Sequence, residues 1–298
     1  MQAEVFRRFC EYALKEAGIS LGPRKEALVA ARVGKRMRAL NLPDEAAYLE
    51  YLEAEKTGQE LVRFLDVIST NHTAFFREPD HFELLRTLVA NWYSEGHRTL
   101  RIWSAASSTG EEPYTIAMTV RSAVTAPDFD FKLLATDIST RVLAAAEAGI
   151  YPAERLEKIA PPLRQRFFMP AGKGSDDYQI RPELRRDLVF RRLNLSQPPF
   201  PMRGPLDVVF CRNVLIYFDQ TVRQRLISAI ERLLKPGGWL FIGHSETLAG
   251  ITSGFHALRP SIFQLGDRPN DGAEKTPPAS RTARLTDPPG DQPRAVRS

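Results

Sequence analysis

The chain has 298 residues, 43% of them apolar and 26% charged, with 41 basic against 36 acidic side chains and a net charge of +5. This is ordinary globular composition for one large domain or two modest ones, and it excludes collagen, coiled coil and wholesale disorder. Two cysteines, Cys10 and Cys211, make neither a disulfide framework nor, alone, a structural zinc site; no run approaches the ~18 apolar residues of a membrane span, and the N-terminus lacks a secretory h-region, so a cytoplasmic protein without membrane insertion is expected.

Glu4 to Ala17 carries Val5, Phe6, Phe9, Ala13 and Leu14 near helical period and stops at Gly18. Pro23 suits the first turn of a second helix running to Leu40. Asp44 can cap a third, with Tyr48, Leu49 and Leu52, and a fourth carries Leu61, Phe64, Leu65 and Ile68. Residues 1–70 are therefore expected to form an all-helical domain. From residue 99 the pattern changes. Strands are expected over 99–106, 131–137, 206–211 and 239–245, with helices over 111–124, 139–148 and 220–234 and a tight turn at Lys235-Pro-Gly-Gly. That alternation predicts an α/β fold with a mostly parallel sheet covered by helices on both faces. Residues 150–192 break it and read as a helical lead-in followed by a small antiparallel β insertion. Residues 267–298 hold six prolines and no aromatic residue, and are expected to be a disordered tail.

Ligands of a doubly wound sheet bind beyond the carboxyl ends of its strands. Ser104 to Pro113 reads SAASSTGEEP directly after the first strand. Its small residues let backbone approach a ligand, and they suit a plain tight turn equally well. Gly110 stands alone there, without the G-x-G-x-x-G of dinucleotide folds. Asp137 ends the second strand, 27 residues after Gly110. An acid in that place accepts hydrogen bonds from both ribose hydroxyls of a nucleoside, or else caps the next helix. With no pyrophosphate cradle, a nucleoside without phosphates is favoured, and S-adenosyl-L-methionine fits because its charge lies on a sulfonium and an amino acid. Cys211-Arg212-Asn213 ends the third strand, so Arg212 and Tyr217 either line the same crevice or are respectively solvated and packed. Thr70 to Glu78, TNHTAFFRE, joins the two regions as a staple, a lid, or both. Gly243-His-Ser-Glu-Thr lacks the last glycine of a hydrolase elbow. The five histidines show no metal-ligand spacing, so no metal is expected. Arg24 to Arg38 carries six bases and one acid. Val29, Val33, Met37 and Leu40 share one helical face; Arg32, Lys35 and Arg38 project elsewhere, as a solvated surface or as a dock for an acidic protein helix.

Together these residues resemble the CheR family, the chemotaxis receptor glutamate methyltransferases. The matching strings are TNHTAFFRE (70–78), WSAASSTGEEPY (103–114), ATDIS (135–139), GIY (149–151), FFM (167–169), NL (194–195), CRNVLIYF (211–218), LLKPGG (233–238) and GHSE (243–246), in family order across about residues 3–265. The resemblance implies an N-terminal all-helical domain, a class I (Rossmann-like) methyltransferase sheet over 71–266 and a small inserted antiparallel β-subdomain. It implies contacts to S-adenosyl-L-methionine from Asn71, Thr73, Arg77, Glu111, Asp137, Asn194, Leu195, Cys211 and Arg212. Arg77 and Tyr217 are implied to be catalytic, close to the transferred methyl, and Arg32, Lys35, Arg36 and Arg38 to face the cytoplasmic helices of a methyl-accepting chemotaxis receptor. A monomer without nucleic acid is expected. Some members grip a receptor C-terminal peptide on the β-subdomain; residues 172–182 depart from that pattern. The implied chemistry agrees with the lack of any acid–base dyad, because a carboxylate of pKa about 4.3 is already ionised near neutrality. Its attack on a sulfonium methyl annihilates charge, so a water-poor pocket and good alignment suffice. The rival readings are a methyltransferase acting on RNA or a small molecule, and a non-catalytic cofactor-binding regulatory module.

Overall fold

The computed structural model describes residues 1–22, 25–68, 72–172 and 174–266; Pro23, Arg24, Thr70, Asn71 and the expected tail lie outside the described residues. Four helices come first: α1 (Ala3–Ala17), α2 (Glu26–Leu40), α3 (Glu45–Ala54) and α4 (Gln59–Ile68). In α1, Val5, Phe9 and Ala13 recur every fourth residue and are buried, the spacing that keeps side chains on one helical face. Phe9 stacks on Tyr48 of α3 and Phe64 of α4, with ring centroids 6.0 and 5.6 Å away. Asp44 caps α3, accepting the Ala47 N–H at 2.9 Å. α2 begins at Glu26, later than Pro23 suggested. Gly18 ends α1 at φ 68°, and a Cβ there would lie 2.5 Å from Ser196 Cβ. Only glycine meets both demands, which lets the helical region close against the loop at Ser196.

The rest of the chain runs α5 (Asp80–Ser94), β1 (Thr99–Ser104), α6 (Glu111–Ala123), β2 (Asp130–Asp137), α7 (Thr140–Ala148), β3 (Ile150–Pro152), α8 (Pro161–Phe167), β4 (Phe168–Pro170), β5 (Asp177–Ile180), α9 (Pro182–Arg185), β6 (Leu188–Arg192), β7 (Leu206–Cys211), α10 (Gln220–Leu233), β8 (Leu234–Ile242), β9 (Phe255–Arg259) and β10 (Ile262–Leu265). Seven strands form one sheet in the order β6-β2-β1-β7-β8-β10-β9. β1 pairs in parallel with β2 on one side and β7 on the other, so the direction of chain progression reverses beside it. That reversal is the switch point at which open α/β sheets bind ligands. β10 runs antiparallel to both β8 and β9. β7 shows why its sequence is apolar from Val208 to Cys211. Val208 and Phe210 pack in the core that includes Phe82, Leu85 and Tyr114, whereas Val209 and Cys211 pack with Leu226, Ile227 and Ile230 of α10. A strand covered on both faces cannot alternate with polar residues.

Four features differ from the sequence reading. α5 was not anticipated, although Phe82, Leu85 and Val89 are buried along it. The small antiparallel sheet, β3-β5-β4, begins before the helical segment and ends at Ile180. Leu188–Arg192, assigned above to the insertion, instead pairs in parallel with β2 in the main sheet, Leu133 opposite Leu188 through Asp137 opposite Arg192. The Lys235–Gly238 turn lies inside β8, where the pairing with β7 jumps from Leu206–Leu234 to Val208–Trp239. Residues Met1–Asp267 make one compact unit. Among the described residues, no helix is long and apolar enough to cross a membrane.

Candidate active site

A cleft opens beyond the carboxyl ends of β1, β2 and β7. Its floor includes Ala105, Ala106 and Ser108 after β1, Asp137 and Ile138 after β2, and Arg212 to Val214 after β7. Its roof comes from the helical region, through Ile19, Leu21, Leu28 and Arg32, and from the connecting residues His72 to Ala74 and Arg77.

The loop after β1 is pinned by backbone hydrogen bonds from Ala105 N to Phe210 O (2.8 Å) and from Ser107 N to Thr136 O (2.9 Å). It feeds α6 through Gly110, at φ 98°, where a Cβ would come 2.7 Å from the Tyr151 hydroxyl. Asp137 joins this loop to the next: Oδ2 accepts the Ser108 N–H at 2.9 Å and Oδ1 the Ser139 N–H at 3.0 Å. Burial raises its pKa, against the pull of those backbone donors. Asp137 does not cap α7; Ser139 does, accepting the Val142 N–H. The ribose role keeps its chemical basis, because a carboxylate has roughly four lone-pair sites and the backbone donors at Ser108, Ile138 and Ser139 do not fill them.

Arg212 is buried and spans two carboxylates. Nη2 lies 2.9 Å from Glu78 Oε2 and Nη1 lies 3.0 Å from Glu112 Oε2. Glu112 also accepts the Ser104 hydroxyl at 2.7 Å. Burial pushes Glu112 upward in pKa despite Arg212; at Glu78 burial acts the same way, but the Arg212 and Asn213 donors outweigh it and hold the carboxyl below its usual range. Asn213, at φ 58°, gives its backbone N–H to Glu246 Oε2 at 2.8 Å, and the same carboxylate accepts from Gly243 N at 2.6 Å and Ile216 N at 3.3 Å. Glu246 thereby sets the path of the loop carrying Tyr217. The Tyr217 carbonyl accepts the Ser20 N–H at 2.8 Å, and Lys25 Nζ sits 5.2 Å from the Tyr217 ring centroid.

The connecting segment is both staple and wall. Phe75 is buried edge-on against Tyr151 and Phe168, 5.0 and 5.6 Å between centroids, while His72, Thr73, Ala74 and Arg77 line the cleft. Arg77 Nη1 donates to His72 O at 2.9 Å.

The fold thus brings Thr73, Arg77, Asp137, Asn194, Leu195, Arg212 and Tyr217 to one cleft. Asn71 lies outside the described residues. Two expected contacts are absent from the lining. Glu111 is buried behind it, bonded to Thr109 Oγ1 (2.6 Å) and Arg155 Nη1 (3.0 Å), and Arg155 in turn reaches Thr73 O (3.3 Å). Cys211 is wholly buried at the end of β7. Asn194 lines the cleft, but its amide nitrogen donates to Glu16 O at 2.7 Å, across to the helical region. The basic set on α2 also divides. Lys35 and Arg38 are exposed. Arg36 makes paired 2.7 Å bonds to buried Glu60, which also accepts the Tyr48 hydroxyl, so it faces inward. Arg32 donates to Ile68 O at 2.7 Å and belongs to the cleft wall. Glu78, Glu112 and Glu246 were not singled out as site residues from the sequence. A signal for the first two exists: an arginine at the end of a buried strand requires carboxylates nearby.

Residues 71–262 match the family described as "CheR methyltransferase, SAM binding domain", and residues 4–69 match "CheR methyltransferase, all-alpha domain". The chain is 44% identical over 261 residues to "Chemotaxis protein methyltransferase 2" of Pseudomonas aeruginosa, covering 87% of this chain and 92% of that protein. It is 40% identical over 262 residues to the "Chemotaxis protein methyltransferase" of Salmonella typhimurium, covering 87% and 89%, and 40% identical over 262 residues to that of Escherichia coli, covering 87% and 90%.

Proposed function

Because this chain belongs to the CheR methyltransferase family, it is an S-adenosyl-L-methionine-dependent methyltransferase, and we propose that it methylates glutamate side chains on the cytoplasmic helices of a chemoreceptor-like protein. Three relatives named as chemotaxis protein methyltransferases support a role in chemotaxis. The observation that carries the reading is a cleft at the switch point of the sheet in which Asp137, Arg77 and Tyr217 meet.

The lining fits the cofactor. Small residues after β1 allow backbone to approach, Asp137 would take the ribose hydroxyls, and Thr73, Arg77, Asn194, Leu195 and Arg212 would enclose the remainder. Bound there, S-adenosyl-L-methionine supplies a methyl group activated on a sulfonium. The chain's own groups bind, orient and exclude water. Glu78 and Glu112 neutralise Arg212, while Lys25, Arg32 and Arg77 add positive charge to the lining. Arg77 would meet the charge of an incoming carboxylate, and Tyr217 would fix its approach. Exposed Lys35 and Arg38 would attract a glutamate-rich helix.

The deciding experiment offers S-adenosyl-L-methionine with a labelled methyl to receptor cytoplasmic fragments. Base-labile label on the fragment, lost when its target glutamates are replaced by alanine, is the expected result. Base-stable label, or label only on RNA, overturns the reading.

A further inference from the structure

His81 in α5 and His244 after β8 are 163 residues apart, and the fold sets them beside Glu78. One ligand atom from each of the three lies within 4.8 Å of the other two. The state of His81 follows from its neighbours. The Ser261 hydroxyl gives its single proton to Pro260 O at 2.6 Å, so it must accept the 2.8 Å bond from His81 Nε2. His81 therefore carries its proton on Nε2 and a bare lone pair on Nδ1. The ring is fully buried, and Nδ1 has no hydrogen-bond partner among the described residues. It points at Glu78 Oε2, 3.8 Å away: two acceptors face one another. His244 completes the group from the solvent side. Its half-exposed ring stands 5.0 Å from that of His81, and its Nε2 lies 3.1 Å from Asp80 Oδ1.

Two imidazoles and a carboxylate suit borderline transition metals and not calcium or magnesium, which prefer oxygen ligands. Zinc bonds of roughly 2.0–2.2 Å need the three atoms closer than they stand, and rotation of the half-exposed His244 side chain can close that gap. Glu78 is shared: its Oε2 also receives Arg212, a wall residue of the cleft.

We propose that Glu78, His81 and His244 bind a divalent transition-metal ion of the zinc class, and that metal held there weakens cofactor binding by competing with Arg212 for Glu78. The metal site stands independently of the reading given under Proposed function; only its coupling to the cofactor rests on that reading.

The test uses the full-length, tag-free, metal-stripped protein titrated with zinc chloride, and with cobalt(II) chloride as a coloured probe. One cobalt per chain, with visible ligand-field bands, is expected. In His244→Ala the bands should vanish and zinc affinity should fall at least about tenfold, while Cys10→Ser should match the wild type. No metal binding, bands that survive His244→Ala, or bands lost in Cys10→Ser overturn the site. Affinity for S-adenosylhomocysteine should fall several-fold on saturation with zinc in the wild type and stay constant in His244→Ala. Constant affinity in a zinc-loaded wild type overturns the coupling even where the site stands.

Discussion

Arg212 and Asp137 both line the cleft, yet they offer different tests. Removing the Arg212 side chain would leave Glu78 and Glu112 without their cation, and breaking such a buried pair costs about 3–5 kcal/mol of stability. Lysine is no substitute, since it lacks the planar fork that spans two carboxylates. A loss of cofactor binding in an Arg212 variant would therefore mix folding with recognition. Asp137 is cleaner. Its two oxygens hold Ser108 and Ser139 and have capacity left for a ribose. Asp137→Asn should lower affinity for S-adenosylhomocysteine by about 1.5–3 kcal/mol, the range for a hydrogen bond to a charged acceptor, as read by calorimetry. Burial raises the folded pKa of Asp137. The ionised acceptor is therefore lost, as pH falls, at a higher pH than for an ordinary aspartate. Wild-type affinity should decline on acidification through that raised value, and the decline should be missing in Asp137→Asn. Equal affinity at neutral pH in a folded variant would leave Asp137 as a loop tie alone.

At the scale of elements, α2 carries four basic residues and uses them three ways. Arg36 is paired with Glu60, Arg32 faces the cleft, and Lys35 and Arg38 are exposed. The steering role then falls to Lys35 and Arg38. Reversing both to glutamate should slow methylation of a receptor fragment and flatten its dependence on ionic strength, because exposed charges act through a screened field. S-adenosylhomocysteine affinity should not change. A wild-type rate at every salt concentration would make this surface merely solvated. The same helix shows what a sequence reveals. Period 3.6 located α1 to α4, and apolar-rich runs located β1, β2 and β7, because burial on one face or both writes itself into local pattern. Partners across the chain leave no such mark. The Arg36–Glu60 pair, the Glu78–Arg212–Glu112 bridge and the seating of β6 on β2 are decided by tertiary packing. β6 reads correctly as a strand, but nothing within Leu188–Arg192 says which sheet it joins. α5 lacks a side-chain N-cap, its N-cap residue being Pro79, so the usual start signal is missing. The cleft residues were legible largely because they cluster at strand ends, where a fold of this class binds ligands.

For the whole molecule the question is whether the helical region and the sheet region act as one. Three ties argue that they do: Ser20 N to Tyr217 O, Asn194 Nδ2 to Glu16 O, and the close approach of Gly18 to Ser196. Two of these ties end on cleft residues, so the cleft is complete only when both regions are in place. The tryptophans allow a direct test, since Trp92, Trp103 and Trp239 all lie after the helical region. Phe64 lies on the other side, fully buried among Phe9, Leu49 and Leu65. Phe64→Ala should cost about 3–5 kcal/mol as a core truncation. If folding is cooperative across both regions, the urea midpoint read by tryptophan fluorescence should fall together with that read by far-ultraviolet circular dichroism. Saturating S-adenosylhomocysteine, at about 100 times its dissociation constant, should then restore roughly 2.7 kcal/mol to both readouts equally. A dichroism transition that moves while the tryptophan transition stays fixed would mean that the helices melt alone. In that case S-adenosylhomocysteine affinity should drop in Phe64→Ala at urea concentrations where the sheet is still intact, because Ser20 no longer holds the Tyr217 loop and the roof of the cleft is gone.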